Sequence, residues 1–137
     1  MDIIAVDISG RHEHEGEYLM VGAAVAADIT PSRINRIHGI KATVHKRSAP
    51  PQLGDVVDIV IDTVMQLMKL KEIKQLKNGV TIVTEKGDFF NEDEWRINAM
   101  MPFDFKYLES IGERRTIEAA HHVSISTRDL LLACGLK

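Results

Sequence analysis

Apolar residues run almost without break through MDIIAVDISG at positions 1–10 and stop at Ser9 and Gly10. Side chains on a strand alternate between faces, so Ile3, Ala5 and Asp7 share one face while Ile4, Val6 and Ile8 share the other. Asp7 therefore stands where the pattern calls for an apolar residue. An unpaired buried carboxylate costs several kcal/mol on an order-of-magnitude view, so a cation, a hydrogen-bond donor or a water-filled cleft is expected beside it. The competing reading places Asp7 just past the strand, as a cap for the turn at Ser9 and Gly10.

The same patterning continues downstream. After the polar stretch RHEHEGE, residues 18–28 are apolar almost throughout and read as a second, antiparallel strand, with Gly22, Ala23 and Ala24 allowing close approach by another layer. Residues 34–46 alternate, with Ile40, Ala42 and Val44 set against Lys41, Thr43 and His45, which predicts a third strand exposed on one face. Pro50 and Pro51 precede a helix over 54–71. Its stripe of Val57, Val60, Ile61, Val64 and Met68 faces inward, and Asp55, Asp58 and Asp62 lie on another face. Asn78 and Gly79 introduce a strand within 80–88 that ends in Glu85, before a turn at Gly87. A helix over 92–100 capped by Asn91 with Glu94, a short strand within 105–110 and a helix over 113–134 ending at Gly135 complete the chain. β-Branched Val123, Ile125 and Thr127 allow a break in the last helix near 122–126.

The predicted order is strand, strand, strand, helix, strand, helix, strand, helix. A helix between the third and fourth strands implies a crossover to a parallel neighbour, hence a mixed sheet covered by helices in an α/β fold. Residues 1–137 suit one domain, large enough for a core without disulfides or a structural metal.

Composition narrows the function classes. Aromatic residues make up 5%, which argues against a stacking platform for single-stranded nucleic acid. A net charge of −3 excludes a globally basic nucleic-acid binder and leaves room for a local basic surface. Cys134 alone makes no internal disulfide, reads as a small buried hydrophobe, and fits a reducing cytoplasm. The first residues lack the basic region of a signal peptide, and no apolar run is long enough to cross a membrane, so a cytoplasmic protein without membrane contact is expected.

With IAVDISG carrying Asp7, TIVTE carrying Glu85 and TRDLLLACG carrying Asp129, the element order resembles the ribonuclease-H-like superfamily, in particular the branch that includes the Holliday-junction resolvases. The chain also resembles an uncharacterised archaeal family of small cytoplasmic proteins. The resemblance implies a ribonuclease-H-like sheet and a nuclease: hydrolysis of phosphodiester bonds in nucleic acid, with Asp7, Glu85 and Asp129 as ligands of Mg²⁺ or Mn²⁺ and His122 as a catalytic helper. In a continuous helix His122 and Asp129 are seven residues, about 700°, apart and nearly aligned. The chain departs from the family where Leu132 and Ala133 follow Asp129, in place of a second acid, and Asp55, Asp58 or Asp62 could supply the further acid that ribonucleases H place on the first helix only if that face turns inward.

Two other readings stand beside the nuclease. One is a non-catalytic domain of the same fold that binds a protein or an RNA-containing complex, expected if the acids pair with Arg114, Arg115 or Arg128. The other is a small-molecule phosphohydrolase. His12 and His14 form a metal pair or a solvated hairpin tip, and His121 and His122 divide between a surface residue and a carboxylate partner. Asp88 reads as a supporting ligand near Glu85 or as a turn residue. Lys69, Lys71, Lys74 and Lys77, and separately Lys41, Lys46 and Arg47, track phosphates or protect solvated ends. An apolar edge at 22–25 offers a surface for a homodimer.

Overall fold

The computed structural model describes residues 1–73, 76 and 80–135. Strands β1 (Asp2–Ser9), β2 (Tyr18–Ile29) and β3 (Ile34–Arg47) come first, followed by helix α1 (Leu53–Met68) and strand β4 (Thr81–Thr84). A single 3-10 turn (Lys86–Phe89), helix α2 (Glu94–Met100), strand β5 (Phe105–Tyr107) and helix α3 (Ile111–Ala133) complete the order, which differs from the expected one by the added 3-10 turn. Asn78 and Gly79, read as introducing the fourth strand, lie outside the described residues.

The five strands form one mixed sheet in the order β3-β2-β1-β4-β5. β1 pairs antiparallel with β2 and β2 with β3, while β4 runs parallel to both β1 and β5. Alternation along β1 divides the core. Ile4, Val6 and Ile8 join Val56, Val60, Val64 and Leu67 of α1 on one face, whereas Ile3 and Ala5 join Ala27, Val83 and Ile117 of α3 on the other. Asp7 shares parity with Ile3 and Ala5 and so faces α3. It pairs with Ala23 inside the ladder, which overturns its reading as a cap beyond the strand.

Residues 22–25 form no edge: they lie in β2, flanked by β1 and β3. A Cβ on Gly22 would stand 2.5 Å from Thr63 Oγ1, so the glycine admits α1 close to the sheet. The exposed edge belongs to β3, where Ile37, Ile40 and Val44 reach solvent.

α3 begins with a capping box. Ser110 Oγ accepts the Glu113 N–H at 3.1 Å, and the buried Glu113 carboxylate accepts the N–H groups of Glu109 at 2.8 Å and Ser110 at 2.9 Å. Lys106 Nζ closes the cluster 2.9 Å from Glu113 Oε2. Burial pushes the Glu113 carboxyl up, but these donors and the ammonium outweigh it and hold its pKa below the ordinary value. α3 then runs unbroken to Ala133, because its buried stripe of Ile117, Ala120 and Ser124 keeps helical spacing through the β-branched stretch. Cys134 is exposed rather than buried, at a helix end where Leu130 is exposed too. At α2 the cap is Asp93 rather than Asn91, and Glu94 Oε1 instead accepts the Tyr107 N–H at 2.8 Å.

Candidate functional site

The site is assembled where α3 passes over the end of β1. The sheet-facing stripe of α3 carries Glu113, Thr116, Ile117, Ala120 and Ser124 at helical spacing, so Ser124 arrives above Asp7. Ser124 Oγ lies 2.8 Å from Asp7 Oδ2 and 3.0 Å from the His121 carbonyl oxygen, and its one proton serves both. His121 Nδ1 stands 3.1 Å from the same Oδ2. Asp7 is only 4% exposed, so these two donors supply the partners that its burial demands. With the proton on Nδ1, the imidazole leaves Nε2 as an acceptor turned away from Asp7.

Two further bonds fix the helix over the strand ends. Ser9 Oγ donates to the Ser124 carbonyl at 3.1 Å, and Arg128 Nε donates to the Leu19 carbonyl at 2.9 Å. Gly10, at φ +90, makes room for the second: a Cβ there would collide with the Leu19 carbonyl oxygen and stand 2.6 Å from Arg128 Nε.

The second acid is Asp88. After β4 the 3-10 turn carries it beside Asp7, where it is 7% exposed. Burial, followed by the negative charge of Asp7, pushes its carboxyl pKa up to about 8; Arg11 opposes the shift, Glu85 adds to it, and the Ile8 N–H opposes it. Asp88 therefore holds its proton at neutral pH. Arg11 borders the pair without neutralising it. Its Nη1 donates to the carbonyls of Gly87 at 3.0 Å and Asp88 at 3.2 Å, while Nη2 is 3.9 Å from Asp88 Oδ1. The guanidinium carbon lies 5.4 Å from the centroid of the Phe90 ring.

The structure thus brings Asp7 and Asp88 together. Glu85 is exposed at the head of the 3-10 turn, near enough to act electrostatically on Asp88. Asp129 and His122 stay outside. Asp129 is five residues beyond Ser124, a rotation of about 140° from the sheet-facing direction, and both it and His122 are exposed. Their alignment with each other holds, but on a face turned from Asp7. Among the described residues no three His, Cys, Asp or Glu side chains form a group that could hold a metal ion.

The remaining candidates lie apart. Asp55 pairs with Arg47 at 2.9 Å, and Asp62 lies 3.6 Å from His45, both on the α1 side of the sheet, opposite Asp7. His12 and His14 occupy an exposed hairpin tip closed by the His14–Glu17 bridge. Lys69 and Lys71 are exposed, while Lys74 and Lys77 lie outside the described residues. Arg115 pairs with Glu118 at 3.6 Å and Arg128 with a carbonyl; no ion pair joins Arg114, Arg115 or Arg128 to Asp7 among the described residues. Sequence reasoning passed over Ser124, Arg11 and the choice of His121. The available signal was the stripe Ile117, Ala120, Ser124, whose polar last member marks what it covers.

Among the described residues no helix is long and apolar enough to cross a membrane. Residues 4–132 match the model of a family described as an uncharacterized protein conserved in archaea, DUF2209. The chain is 33% identical over 134 residues to the uncharacterized protein MJ0095 of Methanocaldococcus jannaschii, covering 94% of this chain and 95% of the relative. No solved structure gives a significant match.

Proposed function

The chain belongs to the archaeal family DUF2209, and we propose for it the hydrolysis of phosphodiester bonds in nucleic acid at a divalent-cation site built on Asp7 and Asp88. One observation carries this reading: Asp7 and Asp88 are both buried at the ends of neighbouring strands, and burial followed by the charge of Asp7 pushes the Asp88 carboxyl up to about 8 against the opposing Arg11. A divalent cation would let both carboxyls ionise together. The sheet order β3-β2-β1-β4-β5 supports the ribonuclease-H-like reading, and the acids lie at the carboxyl ends of adjacent parallel strands, where open α/β sheets bind ligands.

The donor chemistry fits Mg²⁺ or Mn²⁺. Such ions prefer oxygen, and Mg²⁺ is commonly held by one or two carboxylates, with water and substrate phosphate completing its shell. Asp7 and Asp88 would hold the ion and Glu85 would stand at its rim. Bound there, the ion supplies Lewis acidity for water and charge compensation for the phosphate. Asp7 also orients His121 through Nδ1, which leaves Nε2 to take or return a proton at a phosphate-ester oxygen. His121 thus assumes the helper role first given to His122.

A competing reading, a non-catalytic domain that binds a protein or an RNA-containing complex, draws on the exposed Ile37, Ile40 and Val44 of β3. Calorimetric titration with Mn²⁺, beside a screen of DNA and RNA cleavage, separates the two. Saturable binding and Mn²⁺-dependent cleavage, both lost in Asp7→Asn and in Asp88→Asn, are expected. A folded wild type that neither binds nor cleaves would put the competing reading ahead.

A further inference from the structure

We propose that Arg11 and Phe90 form a platform on which one unpaired nucleobase of a single-stranded nucleic acid rests while its adjoining phosphate lies at Asp7 and Asp88. The identity of this occupant rests on the function proposed above. The platform itself rests on backbone geometry, exposure and charge.

Phe90 and Asn91 are consecutive non-glycine residues in the left-handed region, at φ 55 and φ 59. Bulky residues seldom adopt that conformation, and such outliers gather at functional sites. Here it closes the 3-10 turn, where the N–H groups of Phe90 and Asn91 donate to the carbonyls of Gly87 at 3.2 Å and Lys86 at 3.0 Å. The preceding Phe89 is wholly buried, its ring 5.5 Å from that of Phe105, whereas Phe90 remains 49% exposed. The strained turn therefore directs one aromatic ring inward and presents the next to solvent, two residues beyond Asp88.

Arg11 completes the surface. Its bonds to the Gly87 and Asp88 carbonyls hold the guanidinium near Phe90 and beside the acid pair. Bases stack on aromatic rings and on guanidinium planes alike. The cation also attracts the backbone that the carboxylates would otherwise repel. A flat ring joined to a phosphate matches this neighbourhood of planar surface, cation and acid pair. An aromatic side chain of a protein partner would supply the ring without the phosphate. Low aromatic content argued against an extended stacking surface; a platform for one base needs one exposed ring.

The test uses the double variant Asp7→Asn with Asp88→Asn, which neutralises the acids and leaves an oligonucleotide intact. Fluorescence anisotropy compares a labelled single-stranded oligonucleotide with its abasic counterpart. The intact strand should bind about tenfold more tightly. Adding Phe90→Ala should abolish that margin without changing affinity for the abasic strand, and Phe90→Trp should restore it, with circular dichroism confirming that each variant is folded. Equal affinity for the two strands, or a margin that survives Phe90→Ala, overturns the platform. Cleavage by wild type without a margin removes this inference alone; a margin without cleavage by wild type removes the hydrolase reading alone.

Discussion

His121 Nδ1 on α3 meets Asp7 Oδ2 on β1 at 3.1 Å, joining residues 114 positions apart in the chain. The carboxylate is buried and the imidazole is half exposed, so the pair links the interior of the sheet to solvent. An oriented imidazole at the edge of an acid site is suited to proton transfer. His121→Ala should therefore lower Mn²⁺-dependent cleavage by about 10²–10⁴-fold. His122→Ala and Asp129→Asn, on the face turned from Asp7, should stay near wild-type rates. Steady-state cleavage assays on the three variants decide between a site that uses His121 and one that uses His122 and Asp129.

On the proposed function, a cation bound at Asp88 displaces a proton, because burial and the charge of Asp7 push that carboxyl up to about 8. Below about pH 8 the apparent Mn²⁺ affinity should rise by about tenfold per pH unit, then level off once the carboxyl is ionised. Binding should also release close to one proton near neutrality. Titrations in buffers of different ionisation enthalpy measure that release directly, and an affinity independent of pH would exclude Asp88 as a ligand.

Without divalent cations the same group makes stability depend on pH. Its folded pKa of about 8 lies above the unfolded value of about 3.9, so between the two the native state binds the additional proton. Stability should then fall as pH rises from about 4 to about 8, by an amount on the order of several kcal/mol, and level off above. Asp88→Asn should flatten this slope and make the protein more stable than wild type at about pH 9. Urea unfolding in chelator at several pH values reads both effects.

Ser124→Ala removes a donor from a buried carboxylate. The expected cost is about 1–3 kcal/mol, because among the described residues Asp7 then keeps only His121 as a side-chain partner. In a double-mutant cycle with Asp7→Ala the two losses should be less than additive, since both remove the same bond. Additive losses in urea unfolding would show that the bond adds nothing to stability.

Much of the scaffold was legible where patterning is long. The alternation in β1 assigned Asp7 to its face and the apolar stripe of α1 predicted which side packs, whereas the period-two pattern of β3 marked a half-exposed strand but not its faces, since Ile40 and Val44 reach solvent while Thr43 is buried. The site was less legible because it depends on short or weakly patterned pieces. A four-residue 3-10 turn has too little length to show a period, yet it carries Asp88 to Asp7. Along α3 the sheet-facing stripe is narrow and, apart from Ile117, made of small or polar residues, so the periodicity barely separates neighbouring positions. A difference of about 100° per residue then decides between His121 and His122. The mistaken edge at 22–25 arose because Gly22, Ala23 and Ala24 signal close packing, which an interior strand needs as well.

The two acids are mounted on unlike supports. Asp7 belongs to a strand bonded on both sides, so its carboxylate moves only with the sheet, whereas Asp88 rides on one turn after β4. The spacing of the pair is thus adjustable from one side. On the proposed function, substitutions at the exposed turn positions Glu85, Lys86 and Gly87 would retune the gap for ions of different radius while the ladder beneath and the buried Phe89 stay unchanged.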